Sequence, residues 1–262
     1  MRVDQDMATY PGWLHVLAQL SLAIAAICAV AIFIDVLRRP QQMTIMDVVW
    51  PVTALYWGPL AVWAYRRVGV RTTRRHYEAK KRATTHEHIQ RQKKSLASRP
   101  PTTTQTAIGD SHCGAGCTLG DLVGEGLMAA TGVTLFGTVF PTRLLIDFIL
   151  AWAFGVVFQY FTIVPMRGLG VGEGLIAAMK ADTISIVAFQ VGMSLWMALT
   201  HFVFFPAPHL KVSDPVFWFM MQIAMVLGYI TSYPANAWLL KAGLKERMPD
   251  MPDAAFALDK AS

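Results

Sequence analysis

The sequence predicts an all-α fold, a polytopic membrane helical bundle with about six transmembrane helices. Of its 262 residues, 54% are hydrophobic and 15% are charged, and the mean hydropathy is +0.40. The apolar residues are grouped in long blocks rather than spread along the chain. Each block supplies about the 20 residues that a helix needs to cross about 30 Å of hydrocarbon, where the backbone must satisfy its own hydrogen bonds.

Six apolar blocks justify the six helices in chain order. The clear blocks cover 13–37, 43–65, 143–165 and 215–240, and the more mixed blocks cover 118–140 and 176–205. The tail before the first block, MRVDQDMATYPG, lacks a positive region, and the block itself is too long for the core of a signal peptide. We therefore expect an uncleaved first helix.

The blocks divide the chain into four parts. We expect an N-terminal two-span membrane hairpin over 1–65, a basic cytoplasmic loop and linker over 66–110, a four-span core membrane domain over 111–247, and a C-terminal cytoplasmic tail over 248–262. The core contains VGEGLMAA at 123–130 and VGEGLIAA at 171–178. This similarity suggests two like-oriented helical hairpins with Glu125 and Glu173 at the same membrane face. Chance similarity between segments rich in Gly and Ala is the alternative.

The basic residues set the expected orientation. Segment 66–101 holds 12 of the 23 Lys and Arg residues. Because short loops rich in Lys and Arg stay in the cytoplasm, six spans place both termini there. We expect this loop to attract anionic lipid. Nucleic-acid binding is the alternative for such a loop, and we do not favour it because few aromatic residues are interleaved with the charges.

Residues 111–130, SHCGAGCTLGDLVGEGLMAA, carry ionisable side chains into a membrane segment. We expect HCGAGC to form a loop over a helix that begins near Thr118, at the cytoplasmic mouth of the third span. A helix N-terminus favours thiolate, and soft sulfur selects Cu(I), Zn(II) or iron–sulfur clusters. Gly120 and Gly124 form a GxxxG pattern that allows close helix approach. The candidate metal ligands here are His112, Cys113, Cys117, Asp121, Glu125 and Met128.

The fifth block extends this pattern. Met193, Met197 and His201 share a helical face with Asp182 and Gln190, and we add the first three to the candidate metal ligands. Polar side chains inside a membrane usually face a cavity or the bundle interior, so this face predicts a path for a soft ion. Core packing by methionine is the alternative. The last block repeats the pattern weakly, with Met221, Gln222, Met225, Ser232 and Asn236 on one face.

Three stretches, HCGAGCTLGD, KADTISIVAFQVGMSLWMAL and FWFMMQIAMVLGYITSYPANAWL, resemble signature stretches of the "domain of unknown function 4396" group. The resemblance covers about 110–247 and implies a small bacterial integral membrane protein without an assigned activity. Some relatives resemble fusions with a heavy-metal-associated domain, which implies an association with copper handling. Where the group has an acid in the pattern F-E-x-G-M, this chain has Gln190. A role of that acid in ion or proton coupling therefore does not apply to this chain.

Three functions follow from these patterns. The first is binding or transport of a soft metal ion, Cu(I) first, without a nucleotide-binding motif to drive it. The second is a membrane thiol oxidoreductase that uses Cys113 and Cys117. The third is a non-catalytic assembly factor that packs against another membrane protein. We assign no catalytic residues, and we expect lipids, a metal ion or copper chaperone, and a second copy of the chain as partners, but no nucleic acid.

Overall fold

The chain folds as a polytopic bundle of α-helices, as the sequence predicts. The computed structural model describes residues 10–83, 99–135 and 137–247. Its helices are α1 (Gly12–Arg38), α2 (Met46–Trp57), α3 (Pro59–Arg67), α4 (Arg74–Ala83), α5 (Thr103–Thr131), α6 (Val139–Arg167), α7 (Val171–Leu199) and α8 (Pro215–Lys241). A 3-10 turn (Gly69–Thr72) precedes α4, and a π-helical turn (Thr200–Phe204) extends α7. The expected tail at 248–262 and part of the basic loop lie outside the described residues.

Four helices are long and apolar enough to cross a membrane: α1, α6, α7 with its π-helical turn, and α8. Helix α5 has 29 residues, which is sufficient by length, but many of its buried side chains are polar. The predicted count of six spans is therefore not confirmed. The two remaining predicted spans, 43–65 and 118–140, have different structures from those expected.

Helix α5 begins well before the predicted start near Thr118. Thr102 and Gln105 form a capping box at its N-terminus, so HCGAGC is helical rather than a loop, and the predicted domain boundary at 110 falls inside a helix. Glycine disfavours a helix interior by about 1 kcal/mol per residue. Close packing offsets this effect here, because the Cα of Gly116 faces Gly155 on α6.

The GxxxG pattern lies at the same interface between α5 and α6. A Cβ added at Gly120 would overlap the backbone of Ala151, and one added at Gly124 would overlap the carboxylate of Asp147. The helix axes therefore approach closely, as small residues allow in membrane bundles. This contact places α5 in the centre of the bundle, where it also contacts α2, α7 and α8.

Residues 43–65 form a short helical hairpin rather than a straight span. Helices α2 and α3 run antiparallel, and the rings of Trp50 and Tyr65 lie 5.5 Å apart. Gly58 makes the turn with φ 52° and ψ −126°, a backbone conformation that favours glycine. Pro59 then starts α3, where its missing N–H is harmless.

Both ends of this hairpin lie at the same end of the bundle. Gln42 N donates to Thr72 O at 3.1 Å, which joins the chain before α2 to the chain after α3. Trp57, at the tip, packs on Tyr229 in the middle of α8 with ring centroids 5.3 Å apart. The hairpin therefore enters the bundle about halfway and returns. Such re-entrant backbone is tolerated at membrane depth where protein surrounds it.

The re-entrant hairpin changes the predicted topology. Tyr10 Oη donates to Asp214 Oδ1 at 2.6 Å, at the start of α8, whereas Lys245 follows the end of α8. The two described chain ends thus lie at opposite ends of the bundle, unlike the prediction that places both termini on one side. We call the end with Lys245 and the start of α5 the basic end, and the end with Tyr10 the far end.

The basic end also contains residues that the predicted six-span topology places on the other side of the membrane. Arg38 and Arg39 follow α1 to the same end as residues 66–83, because Gln41 pairs with Thr73. Among the described residues, Arg143 and Lys211 are the basic side chains nearest the far end.

The two copies of the octapeptide lie at opposite ends of α6. Glu125 forms an ion pair of 2.8 Å with Arg143, near the start of α6. Gly174, in the second copy, packs against Val164 near the end of α6. The hairpins α5–α6 and α7–α8 are both formed and run in the same direction. Glu125 and Glu173 are nevertheless not equivalent positions, because the first copy lies near the end of α5 and the second lies at the start of α7.

Candidate functional site

Ionisable and sulfur-containing side chains form a row along the buried face of α5. Residues three or four apart share a helix face, so these side chains follow one stripe about 22 Å long at about 1.5 Å per residue. All of them are at most 1% exposed. This α5 row consists of Asp110, Cys113, Cys117, Asp121 and Glu125.

At the basic end of the row, Lys245 Nζ is surrounded by acceptors from three helices. It lies 2.6 Å from Cys113 Sγ, 3.1 Å from Asp182 Oδ1 and 2.7 Å from Asn236 Oδ1. Ser185 Oγ is 3.5 Å away. The side chains of Lys245 and Asp182 are fully buried, so they form a buried ion pair. Cys113 Sγ also donates to Asp182 Oδ1 at 2.7 Å.

The neighbours of Lys245 keep its amine charged. Burial lowers the pKa of the amine, but the adjacent Cys113 and Asp182 raise it by more, and the net pKa lies above the ordinary value. Lys245 therefore places a positive charge inside the bundle.

A turn after α8 brings Lys245 back into the core. Gly243 has φ 71°, and Lys245 N donates to Leu239 O at 3.3 Å. The next residue, Glu246, forms an ion pair with Arg167 at the end of α6. The chain after this turn is thus held to the bundle by the two successive residues Lys245 and Glu246.

Asp110 extends the network at the basic end. Ser232 Oγ donates to Asp110 Oδ1 at 2.6 Å, and Asn236 Nδ2 donates to the same oxygen. Because its nitrogen is held by Asp110, Asn236 turns its oxygen toward Lys245, where Ser185 Oγ also donates to it at 2.9 Å.

In the middle of the row, Asp121 lines a cavity of about 280 Å³. Neither of its carboxylate oxygens meets the distance and angle of a hydrogen bond to another described residue. The amide of Gln190 on α7 is a polar neighbour of this carboxylate. A buried carboxylate without a partner requires a proton or a cation, because an isolated charge is very unfavourable in an apolar medium. The same cavity is lined by Tyr56, Thr118, Met221, Gln222 and Met225.

Cys117 lies in a core cluster rich in thioethers. The cluster brings Cys117 of α5 together with Met193 and Met197 of α7, which the sequence placed on one helical face. Thr118 Oγ1 lies 3.6 Å from Met225 Sδ and links this cluster to the cavity beside Asp121. The methionines of α8 in the cluster are Met220, Met221 and Met225.

At the far end of the row, Glu125 is paired with Arg143. The guanidinium of Arg143 also lies 5.0 Å from the centre of the Phe217 ring. Asp147, one turn along α6, lies against Gly124, and its Oδ1 has no hydrogen-bond partner among the described residues. At this end of the row, the guanidinium of Arg143 therefore lies among the acids Glu125 and Asp147.

Three of the predicted ligands do not join the other candidates. His112 faces α6, with Nε2 3.2 Å from Thr162 Oγ1. His201 stacks on His209 with ring centroids 3.7 Å apart. Met128 is buried beyond Glu125 near the end of α5. Within the described residues, no group of three or more His, Cys, Asp or Glu side chains could hold one metal ion.

The two cysteines of α5 are not arranged for disulfide chemistry. Cys113 and Cys117 are both free and fully buried. Residues one turn apart on a helix have Cβ atoms about 5–6 Å apart, whereas a disulfide needs about 3.5–4.5 Å. The geometry therefore does not favour a thiol oxidoreductase.

Three further residues belong to the site although the sequence patterns did not predict them there: Lys245, Arg143 and Tyr56. The Tyr56 hydroxyl, near the tip of the re-entrant hairpin, lies against Gly114 between the two cysteines. In the sequence, Lys245 is one of several basic residues expected on the cytoplasmic side. The signal that could have identified it is Gly243, since glycine after a helix often reverses the chain.

Comparison with known proteins identifies the core region. A family model described as Domain of unknown function (DUF4396) matches residues 103–245. The matched segment runs from the first residue of α5 to Lys245, and so includes the α5 row and both helical hairpins. No curated protein and no solved structure matches the chain.

Proposed function

The chain belongs to the family described as Domain of unknown function (DUF4396), and we propose that it binds a cation and moves it across the membrane along α5. The proposed cargo is a soft metal ion, Cu(I) first. The observation that carries the proposal is the cavity beside Asp121, where an unpartnered buried carboxylate lies next to Met221 and Met225.

The charge of the α5 row supports a cation rather than an anion. Three carboxylic acids, Asp110, Asp121 and Glu125, lie on one buried face of a central helix. Ionisable groups at membrane depth are unfavourable, and they usually mark ion pathways or proton relays. An anion that followed this face would have to pass all three acids.

The sulfur content of the core supports a soft ion. Thiol and thioether ligands select Cu(I), whereas carboxylate and carbonyl oxygen suit hard ions. Cys113 would receive the ion at the basic end, and Cys117 with Met193 and Met197 would carry it through the middle. Asp121 provides the negative charge there. The proposed path continues toward the far end by way of Glu125.

The proposed location is a bacterial inner membrane with the basic end in the cytoplasm. The concentration of Lys and Arg at that end supports this orientation by the positive-inside rule. In this topology Tyr10 lies on the outer side and Lys245 on the inner side. Anionic lipid is the proposed partner of the basic segment.

Metal content tests the proposal. The full-length protein is purified in detergent, kept reduced, and loaded with Cu(I), Zn(II) or nothing. We expect near-stoichiometric copper in the parent, and its loss in the variant Cys113→Ser/Cys117→Ser. Cys28→Ser is the matched control, because Cys28 lies on α1 outside the α5 row, and it should keep the copper. Copper in the parent at the level of the double variant would contradict the proposal and favour an assembly factor.

A further inference from the structure

The amine of Lys245 is enclosed by polar atoms in an arrangement that has the features of a cation site. We call this arrangement the cradle; it consists of Cys113, Asp182, Ser185 and Asn236. Four acceptors of different chemistry converge on the amine within 3.5 Å: a carboxylate, an amide oxygen, a hydroxyl and a thiol. They come from α5, α7 and α8, so the cradle belongs to the bundle and not to the tail. Lys245 itself comes from the short segment after α8.

We propose that Cys113, Asp182, Ser185 and Asn236 form a monovalent-cation site at the basic end of the α5 row, and that Lys245 is its tethered occupant. The lysine must withdraw before a free cation enters. The identity of the transported ion rests on the proposed function, but the cation site itself does not.

The cradle is organised around an ammonium-sized positive charge. Asn236 has its amide nitrogen on Asp110, so its oxygen is fixed toward the cradle. Asp182 supplies one full negative charge, and it is completely buried. Exchange of the lysine ammonium for one monovalent cation leaves the net charge of the cradle unchanged. A divalent cation would leave one uncompensated charge in an apolar region, which is strongly unfavourable.

The position of Lys245 in the segment after α8 allows this exchange. Lys245 lies beyond the last residue of α8, so its side chain can withdraw while the hydrogen bonds within that helix, and the bond from Lys245 N to Leu239 O, stay in place. The neighbouring ion pair between Glu246 and Arg167 is partly exposed, at 21% and 34% of the side chains. Partly exposed ion pairs contribute little to stability. The tail can therefore leave the cradle without unfolding of the bundle.

Reaction of Cys113 with charged thiol reagents tests the proposal without any metal. In a Cys28→Ser/Cys117→Ser background, Cys113 is the one remaining cysteine of the chain. Lys245→Met is compared with its parent, using cationic aminoethyl and anionic sulfonatoethyl methanethiosulfonate. Lys241→Met is the matched control, because Lys241 is an exposed lysine at the end of α8.

We expect Lys245→Met to raise the rate at which Cys113 reacts with the cationic reagent by about tenfold or more, equivalent to about 1.4 kcal/mol. The rate of reaction with the anionic reagent should stay nearly unchanged. Ammonium chloride should slow the cationic reaction, and choline chloride at the same concentration should not. In Lys245→Met/Asp182→Asn the preference between the reagents should disappear. Lys241→Met should behave as the parent.

Equal acceleration of both reagents in Lys245→Met would overturn the proposal, because it indicates general opening of the bundle. No acceleration in a monodisperse, folded Lys245→Met protein would also overturn it. If Lys245→Met aggregates, Glu246→Gln loosens the tail instead, and the ratio of cationic to anionic rates must rise in the same direction. Since no copper is used, a failure of copper binding leaves this result intact, and copper binding without the charge preference rejects the cation site alone.

Discussion

Arg143 and Lys245 place fixed positive charges at the two ends of the α5 row. Arg143 lies 2.8 Å from Glu125 at the far end, and Lys245 lies 3.1 Å from Asp182 at the basic end. Asp121, between them, has no hydrogen-bond partner among the described residues. In the proposed transporter, these two ion pairs would close the path at both ends, with the unpartnered acid between them.

The first prediction concerns topology. Because 43–65 is a re-entrant hairpin, reporters fused near Tyr10 and after Arg247 should lie on opposite sides of the membrane. Alkaline phosphatase at the N-terminal position should be active outside the cytoplasm, and a fluorescent protein at the C-terminal position should mature inside. Two reporters that indicate the same side would contradict the re-entrant hairpin.

The second prediction compares the two glutamates of the octapeptide copies. Glu125→Gln leaves the largely buried Arg143 without its counter-charge, so we expect a loss of about 3–5 kcal/mol in the free energy of unfolding. Glu173 is exposed at the start of α7, and Glu173→Gln should stay within about 0.5 kcal/mol of the parent. Unfolding in detergent micelles measures both. Equal effects would argue for equivalent positions of the copies.

The third prediction tests the close contact of α5 and α6. Gly120→Ala adds a methyl group against the backbone of Ala151, which cannot move aside as a flexible side chain can. We expect a loss of about 1–3 kcal/mol or more, as for other overpacked sites. Gly126, on the same helix, has open space around it, so Gly126→Ala should be neutral or stabilising by up to about 1 kcal/mol. Thermal unfolding separates the two, and similar stabilities would contradict the helix contact.

The fourth prediction tests the soft-ion assignment. Met193→Leu and Met225→Leu remove thioether sulfur from the core with little change of volume, so stability should change by less than about 1.5 kcal/mol. We expect Cu(I) affinity to fall by at least about tenfold, the scale on which groups around a metal alter its binding. Competition with a Cu(I) chelator measures the affinity. Met179→Leu, at an exposed position of α7, is the control, and a fall of the same size in the control would reject the assignment.

Much of the site could be predicted from the sequence, because helical spacing is a local property. Cys117, Asp121 and Glu125 recur at intervals of four, and that spacing alone places them on one face of a helix. Cys113, which was expected in a loop, extends the same face because α5 begins at Thr103. The structure keeps this face and buries it. What the spacing could not give is the identity of the neighbours, since Asp182, Asn236 and Lys245 reach Cys113 only after the bundle has formed.

The errors of the sequence analysis have local physical causes. The glycines of HCGAGC predicted a loop because glycine disfavours helices in isolation, yet the same residues allow α6 to pack closely on α5. Segment 43–65 has the length and apolarity of a span, and the dipeptide Gly58-Pro59 was the turn signal within it. Hydropathy counts apolar residues without regard to chain direction, so it could not distinguish a re-entrant hairpin from a crossing.

Transport of Cu(I) into vesicles tests the central claim most directly. The full-length protein is reconstituted into proteoliposomes, and Cu(I) uptake is compared between the parent, Asp121→Asn and the control Glu173→Gln. The account predicts uptake by the parent and the control, and uptake by Asp121→Asn no greater than that of protein-free vesicles. Parent uptake at the level of protein-free vesicles, or unchanged uptake in Asp121→Asn, would contradict it.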